Sequence, residues 1–170
     1  MSNLQPPRIE KLRPKTLVGK RLSMSMAADQ TPILWKSFMP FRKSILHTVS
    51  SDLISMQVYD EGFDFNTLTP ETIFTKWATV EVSEIENLPE GMETYSLNGG
   101  LYAVFHFVGG RSEVGILFNY IFQEWMPQSD YIIDTREHFE VLGEKYRNND
   151  PGSEEDFWIP IRLRSETSAR

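Results

Sequence analysis

The same order of elements, strand, helix, strand, strand, runs through this 170-residue chain twice, and that repeat leaves few folds open. In the first pass, Thr16, Val18, Leu22 and Met24 alternate with polar positions between Lys15 and Met26, the period of a strand. Asp29-Gln30-Thr31-Pro32 then reads as a helix start, with a capping side chain ahead of a first-turn proline. Leu34, Phe38, Phe41 and Ile45 continue it as a helical stripe that Pro40 kinks or splits. Leu53 to Tyr59 and Trp77 to Ser83 are strands, joined by a long connection at 60–76. The second pass gives a strand from Leu101 to Val108 and a helical stripe through Val114, Leu117, Phe118, Ile121 and Trp125. The strands His138 to Leu142 and Phe157 to Leu163 complete it. The spacing repeats too: Gly19 to Gln57 and Tyr102 to Glu140 are both 38 residues (57 − 19 and 140 − 102).

The expected fold is therefore α+β: tandem duplicated strand-helix-strand-strand units forming one antiparallel sheet, with two helices on one face. The units run from about 15–84 and 95–164, inside one domain at 15–165 behind a flexible, polar arm at 1–14. A ligand then has a natural place in a groove near the pseudo-twofold, where the halves meet. The loops 60–76 and 126–137 set its size.

Alternation also nominates the residues of that groove, because successive side chains of a strand point to opposite faces. In Trp77 to Val82, Ala78, Val80 and Val82 form a core face and leave Trp77, Thr79 and Glu81 on the other. Phe139 and Val141 leave Glu140 with Leu142, Met56 and Val58 leave Gln57 with Tyr59, and Phe157 with the isoleucines leaves Trp158 outside. Four strands with one apolar side and one aromatic-and-acidic side predict a lined surface. Its members are Glu140, Trp77, Tyr59, Glu81 and Trp158, and Tyr102 of the strand Leu101 to Val108 and Trp125 at the end of the second helix are added to them as candidates. A sheltered carboxylate costs several kcal/mol unless it is paired. A cation lying over an aromatic ring gains about 0.5–2 kcal/mol. Such a set suits flat, positively charged molecules.

Net charge is −7, which argues against nucleic acid, whose binding draws on clustered Lys and Arg. There is no cysteine, hence no disulfide framework and no thiol catalysis. Absence of cysteine fits a cytoplasmic location, and no apolar run reaches the roughly 20 residues of a membrane helix. His47, His106 and His138 lack metal-ligand spacing, so no metal or other cofactor is expected. The acidic run Gly152-Ser153-Glu154-Glu155-Asp156 reads as a solvated turn.

The chain resembles the GyrI-like, or AraC-type effector-binding, small-molecule-binding domains. The likeness is carried by Leu17-Val18-Gly19-Lys20-Arg21, Leu34-Trp35 with Phe38, Val58-Tyr59 and Trp77 to Val82. It continues through Pro89-Glu90-Gly91-Met92, Gly100 to Phe105, Ser129-Asp130-Tyr131, Phe139-Glu140-Val141 and Ile159-Pro160-Ile161. The resemblance implies a pocket for lipophilic, cationic aromatic molecules with Glu140 as its carboxylate. In multidrug-sensing regulators of the family the module follows a DNA-binding domain. Here about 14 residues precede the first strand, which leads us to expect a stand-alone sensor or sequestering module without direct nucleic-acid binding. It is expected as a monomer or homodimer.

Two other functions are compatible with the resemblance. Some stand-alone relatives are similar to hydrolases that open cyclopropane-bearing compounds, for which Glu140 and Glu81 would divide acid and base work and Tyr102 would donate a proton. One branch is named for gyrase inhibition, which suggests a protein-interaction modulator of a DNA-processing enzyme.

Overall fold

The computed structural model describes residues 4–167, with side chains to Ser165; the first three residues of the expected arm lie outside it. Strands β1 (Arg8–Leu12), β2 (Lys15–Met24), β3 (Leu53–Val58), β4 (Phe74–Val82), β5 (Glu93–Leu97), β6 (Gly100–Val108), β7 (Tyr131–Ile133), β8 (His138–Leu142) and β9 (Glu154–Leu163) are all antiparallel. Eight lie in the order β1-β6-β9-β8-β3-β4-β2-β5, and β7 pairs with β9. The fold is α+β and duplicated, as the repeat requires. Its register repeats as well. One cross-strand row runs Gly19–Thr79–Ile54 in the first half and Val104–Trp158–Phe139 in the second. The first and second strands of each half are thus 35 positions apart (54 − 19 and 139 − 104), and Gly19 corresponds to Val104, two residues beyond the Tyr102 that the sequence spacing set against it.

Arg8–Leu12 falls in the segment expected to be an arm, but it pairs with β6. Glu93–Leu97 likewise pairs with β2. Each half therefore lends its leading strand to the other half. The links are short: Arg13-Pro14 joins β1 to β2, and Asn98-Gly99 joins β5 to β6, although the joined strands lie near opposite ends of the order. Two residues span only about 7–10 Å. The sheet must therefore curl until its ends approach, and the face inside the curl becomes a core. Gly99 sits at one crossing with φ +85°, where an added Cβ would lie 2.3 Å from the Leu12 carbonyl oxygen.

That inner core holds Leu12, Leu17, Met56, Trp77, Leu97, Tyr102 and Phe139. The outer face carries the helices. The N-cap of α1 (Thr31–Phe38) is Gln30, whose side chain makes no capping bond; Asp29, the expected cap, stands one residue earlier and its carboxylate accepts the Thr31 amide at 2.9 Å, with Pro32 in the first turn. It buries Leu34 and Phe38 on Ala78 and Val80, each such side chain contributing about 1.5–3 kcal/mol. Pro40 then forces the chain into a 3₁₀ turn at Met39–Ser44. The second helix packs on Phe105, Phe157 and Ile159. It is α2 (Val114–Asn119) followed by a π-helical stretch (Tyr120–Trp125) and a final turn α3 (Met126–Gln128). The wider π turn sets Trp125 edge-on to Phe105 at 5.3 Å and stacked on Tyr131. A short α4 (Arg164–Thr167) ends the described chain. No helix among the described residues is long and apolar enough to cross a membrane.

Candidate functional site

Cross-strand pairing decides which expected site residues share a surface. One row runs Trp77–Met56–Phe139–Trp158 and faces into the curl. The next row runs Ala78–Ser55–Glu140–Phe157 and faces the helices. Glu140 and Trp77 are therefore on opposite faces, which corrects the expectation of one shared acid-aromatic surface. Trp77 is core, 5% exposed, with Tyr95 edge-on at 5.3 Å. Trp158 stacks on Phe139 at 5.2 Å. Tyr102 is fully buried and donates its hydroxyl to the Glu137 carbonyl at 2.8 Å, so it is remote from Glu140 in role and in face. Burial pushes its pKa upward. Glu81 pairs with Lys15 at 2.9 Å and, with Trp158, lines an open hollow of about 460 Å³ at the β1–β2 crossing. Trp125 borders a second hollow of about 320 Å³ with Tyr120 and Glu124. Of the six residues nominated with it, only Tyr59 lies by Glu140.

Glu140 occupies the centre of the helix-bearing face, at the seam where β3 meets β8. The first helical layer packs on β2 and β4 and the second on β6 and β9, on either side of this seam. The carboxylate is sheltered, its side chain 15% exposed. Gln57 donates to it at 3.3 Å from β3, and the Lys76 ammonium on β4 stands 3.8 Å away. On one flank, Tyr59 packs with Phe63, Phe65, Phe74 and His138, ring centroids 4.9 to 5.6 Å from its own. On the other flank, Phe157 meets Phe118 at 5.6 Å. Arg111, ahead of the second helix, pairs with Asp29, ahead of the first, and so links the two helix entrances.

A second carboxylate shares the space. Glu155 lies on β9, two residues from Phe157 and on the same face. Burial, together with the charge of Glu140, pushes its pKa up to about 7, although Lys76 pulls the other way. The acidic run read as a solvated turn is thus the start of β9, and only its first residues are turn. Burial, with Glu140 adding to it, also raises Tyr59. Tyr146 from the 143–153 loop is raised by burial, then by Glu155 and Glu140. His138 is held neutral, its pKa driven down to about 3 by burial and by Arg136. Lys76, Glu155 and Tyr146 were not foreseen, and Gln57 was placed on the face of Tyr59 without being nominated as a site residue. Lys76 alternates with Ala78 and Val80, and Glu155 with Phe157 and Ile159, a signal present once both strands are given their full length.

One group of side chains among the described residues is spaced to hold a metal: His47, Glu84 and Glu86. It is fully exposed. Both carboxylates approach the same His47 nitrogen, Nε2, Glu84 at 3.0 Å and Glu86 at 2.5 Å, and the hydrogen bond to Glu86 raises the His47 pKa.

The profile of the GyrI-like small molecule binding domain matches residues 5–162. The chain belongs to the GyrI-like family. No curated protein sequence matches it. Among solved structures, the GyrI-like chain is similar to an integron cassette protein from the mobile metagenome of Vibrio cholerae. The two share 16% identity at a TM-score of 0.63, over 95% of this chain and 100% of that one. SAV2435, solved bound to tetraphenylphosphonium, aligns at 12% identity and TM-score 0.62, over 93% and 94%. EcmrR, solved in a complex with DNA, aligns at 8% identity and TM-score 0.70, over 94% of this chain and 58% of that one. At these identities the likeness is one of fold.

Proposed function

We propose that this GyrI-like domain binds lipophilic, cationic aromatic molecules in the groove at the β3–β8 seam, as a cytoplasmic sensor or sequestering module. The observation that carries this is the sheltered carboxylate of Glu140 between two sets of rings, Tyr59 with Phe63, Phe65 and Phe74 on one side and Phe157 with Phe118 on the other. A half-buried carboxylate is poorly solvated, so a delocalised cation gains from it more than water would offer. Ring faces add attraction that a small hydrated ion cannot use as well. The bound tetraphenylphosphonium of SAV2435 is a ligand of this chemistry in the same fold. The Asp29–Arg111 pair and the loops at 59–73 and 143–153 are the parts that have to move for entry.

The test is calorimetric titration with tetraphenylphosphonium. Wild type is expected to bind, and Glu140→Gln to bind at least about tenfold more weakly, the loss of roughly 1.4 kcal/mol. Equal affinity of the two proteins would remove Glu140 from the site.

A further inference from the structure

The groove already contains a cation that no acceptor holds. Lys76 stands on β4 between Phe74 and Ala78, on the helix-bearing face. Its side chain is 10% exposed, and among the described residues its ammonium makes no hydrogen bond. The nearest carboxylate oxygen, on Glu140, is 3.8 Å away, well beyond the 2.7–2.9 Å of a charge-assisted hydrogen bond. An ammonium has three N–H donors, and here none of them is received by a protein group. Register explains the placement. Lys76 lies across from Gln57, and Ala78 lies across from Ser55, which pairs with Glu140. Ammonium and carboxylate therefore belong to neighbouring rows of one floor. Phe74, two residues before Lys76 on that face, meets Tyr59 at 5.5 Å and borders the same corner with rings. Resting on the cation-binding reading above, we infer that Lys76 makes the groove selective for zwitterions: its ligands are cationic aromatic molecules that also carry a carboxylate or comparable acceptor a few bonds from the positive centre. The cation lies against Glu140, the acceptor takes the Lys76 ammonium, and the ring system lies on Tyr59 and Phe74.

A bare cation and the Lys76 ammonium are like charges competing for one carboxylate. In a sheltered groove that repulsion is damped less than in water. A ligand with its own acceptor turns the repulsion into a second ion pair and fills donors that are costly to leave unmade. The 3.8 Å between ammonium and carboxylate sets the spacing, so charge and acceptor sit close together on the ligand and not at its opposite ends. The neighbouring groups do not replace Lys76 in this role. Arg111 is engaged by Asp29, Gln57 already gives its amide to Glu140 at 3.3 Å, and His138, across from Gln57, is neutral. Asp29 and Glu155, the other acids in electrostatic reach of Lys76, offer a ligand's carboxylate nothing. Selection acts in both directions: an aromatic acid without a cation meets Glu140, and a cation without an acceptor meets Lys76.

The experiment is calorimetric titration of wild type, Lys76→Met, Lys76→Gln and Glu140→Gln with three probes at about pH 7.5. They are carboxypropyl-triphenylphosphonium, whose carboxyl is ionised at that pH, its methyl ester, which is a bare cation of nearly the same shape, and tetraphenylphosphonium. Wild type is expected to bind the acid about tenfold tighter than the ester, the worth of one hydrogen-bonded charge pair. Lys76→Met and Lys76→Gln are expected to reverse that order, losing the acid while holding the ester and tetraphenylphosphonium at least as tightly as wild type. If one of the two does not fold, the other decides, and if neither folds, the wild-type ratio of acid to ester decides. An equal fall for all three probes marks Lys76 as structural and overturns the selectivity. So does tetraphenylphosphonium binding that depends on Glu140 while wild type holds the ester as well as the acid, or while the Lys76 variants keep the preference; in these cases the cation-binding function stands. Absence of binding by all three probes, or equal affinities in wild type and Glu140→Gln, overturns both.

Discussion

Arg136 gives the sharpest stability test of the fold, because one side chain ties together three elements that only the curled sheet brings close. Its guanidinium donates to the carbonyls of Gly99 at 2.9 Å and Ile161 at 3.0 Å, and to that of Leu101. It also pairs with Asp134 at 2.8 Å and lies 4.8 Å over the Tyr102 ring. The β5–β6 crossing, β6 and β9 are thus held by one planar fork. Arg136→Met keeps the packing of the stem and strands three acceptors. Each stranded acceptor costs about 1–3 kcal/mol. The side chain is 25% exposed, so water partly replaces the lost donors and the low end applies. The expected loss is about 3–4 kcal/mol, or roughly 10 °C in Tm for a domain of this length. Urea unfolding followed by tryptophan fluorescence reads it as a fall in midpoint at constant slope. Arg136→Lys presents a single ammonium that cannot reach three diverging carbonyls, so it should recover no more than about a third of the loss. A loss below about 1 kcal/mol in Arg136→Met, or full recovery with Lys, would refute the clamp.

Two further outcomes follow from the geometry. Gly19→Ala is expected to leave little folded protein in a soluble-expression and far-ultraviolet dichroism test, since its Cβ would lie 1.9 Å from the Ala78 carbonyl oxygen in the β2–β4 ladder; a mutant melting within a few degrees of wild type would contradict this. Glu155 binds its proton more tightly folded than unfolded, so its contribution to stability is fully present below about pH 4.5 and is lost as pH rises through about 7. Chemical denaturation from pH 5 to 8 should therefore show wild type losing stability relative to Glu155→Gln, and parallel curves would count against a sheltered acid.

Glu140 was legible because its neighbours Phe139 and Val141 fix its strand period and because the surrounding motif resembles the family's. Its partners were not. Alternation tells which residues of one strand share a face, but the pairing of strands decides whose faces coincide, and a shift of one residue inverts the answer. Here the usual guide, an apolar side against a polar side, fails as well. The curl buries the inner face as thoroughly as the helices bury the outer one, so Trp77 beside Thr79 and Glu81 is core although its strand neighbours are polar. Lys76 and Glu155 were lost at strand ends. Both stand one or two residues before the apolar run that announces the strand, where pairing with a neighbour, not local sequence, extends the backbone. The same cause hid β1 and β5, whose sequences Arg-Ile-Glu-Lys-Leu and Glu-Thr-Tyr-Ser-Leu carry little apolar signal and are strands only because a distant partner exists.

The exchange of leading strands between the halves has a mechanical consequence. Each half carries a strap that ends inside the other, so the two cannot swing apart like the leaves of a book without tearing a ladder at both edges. Room for a guest has to be made by side chains and loops on a stiff floor, and a chain cut between the halves would yield two fragments each missing a strand that only the other can return.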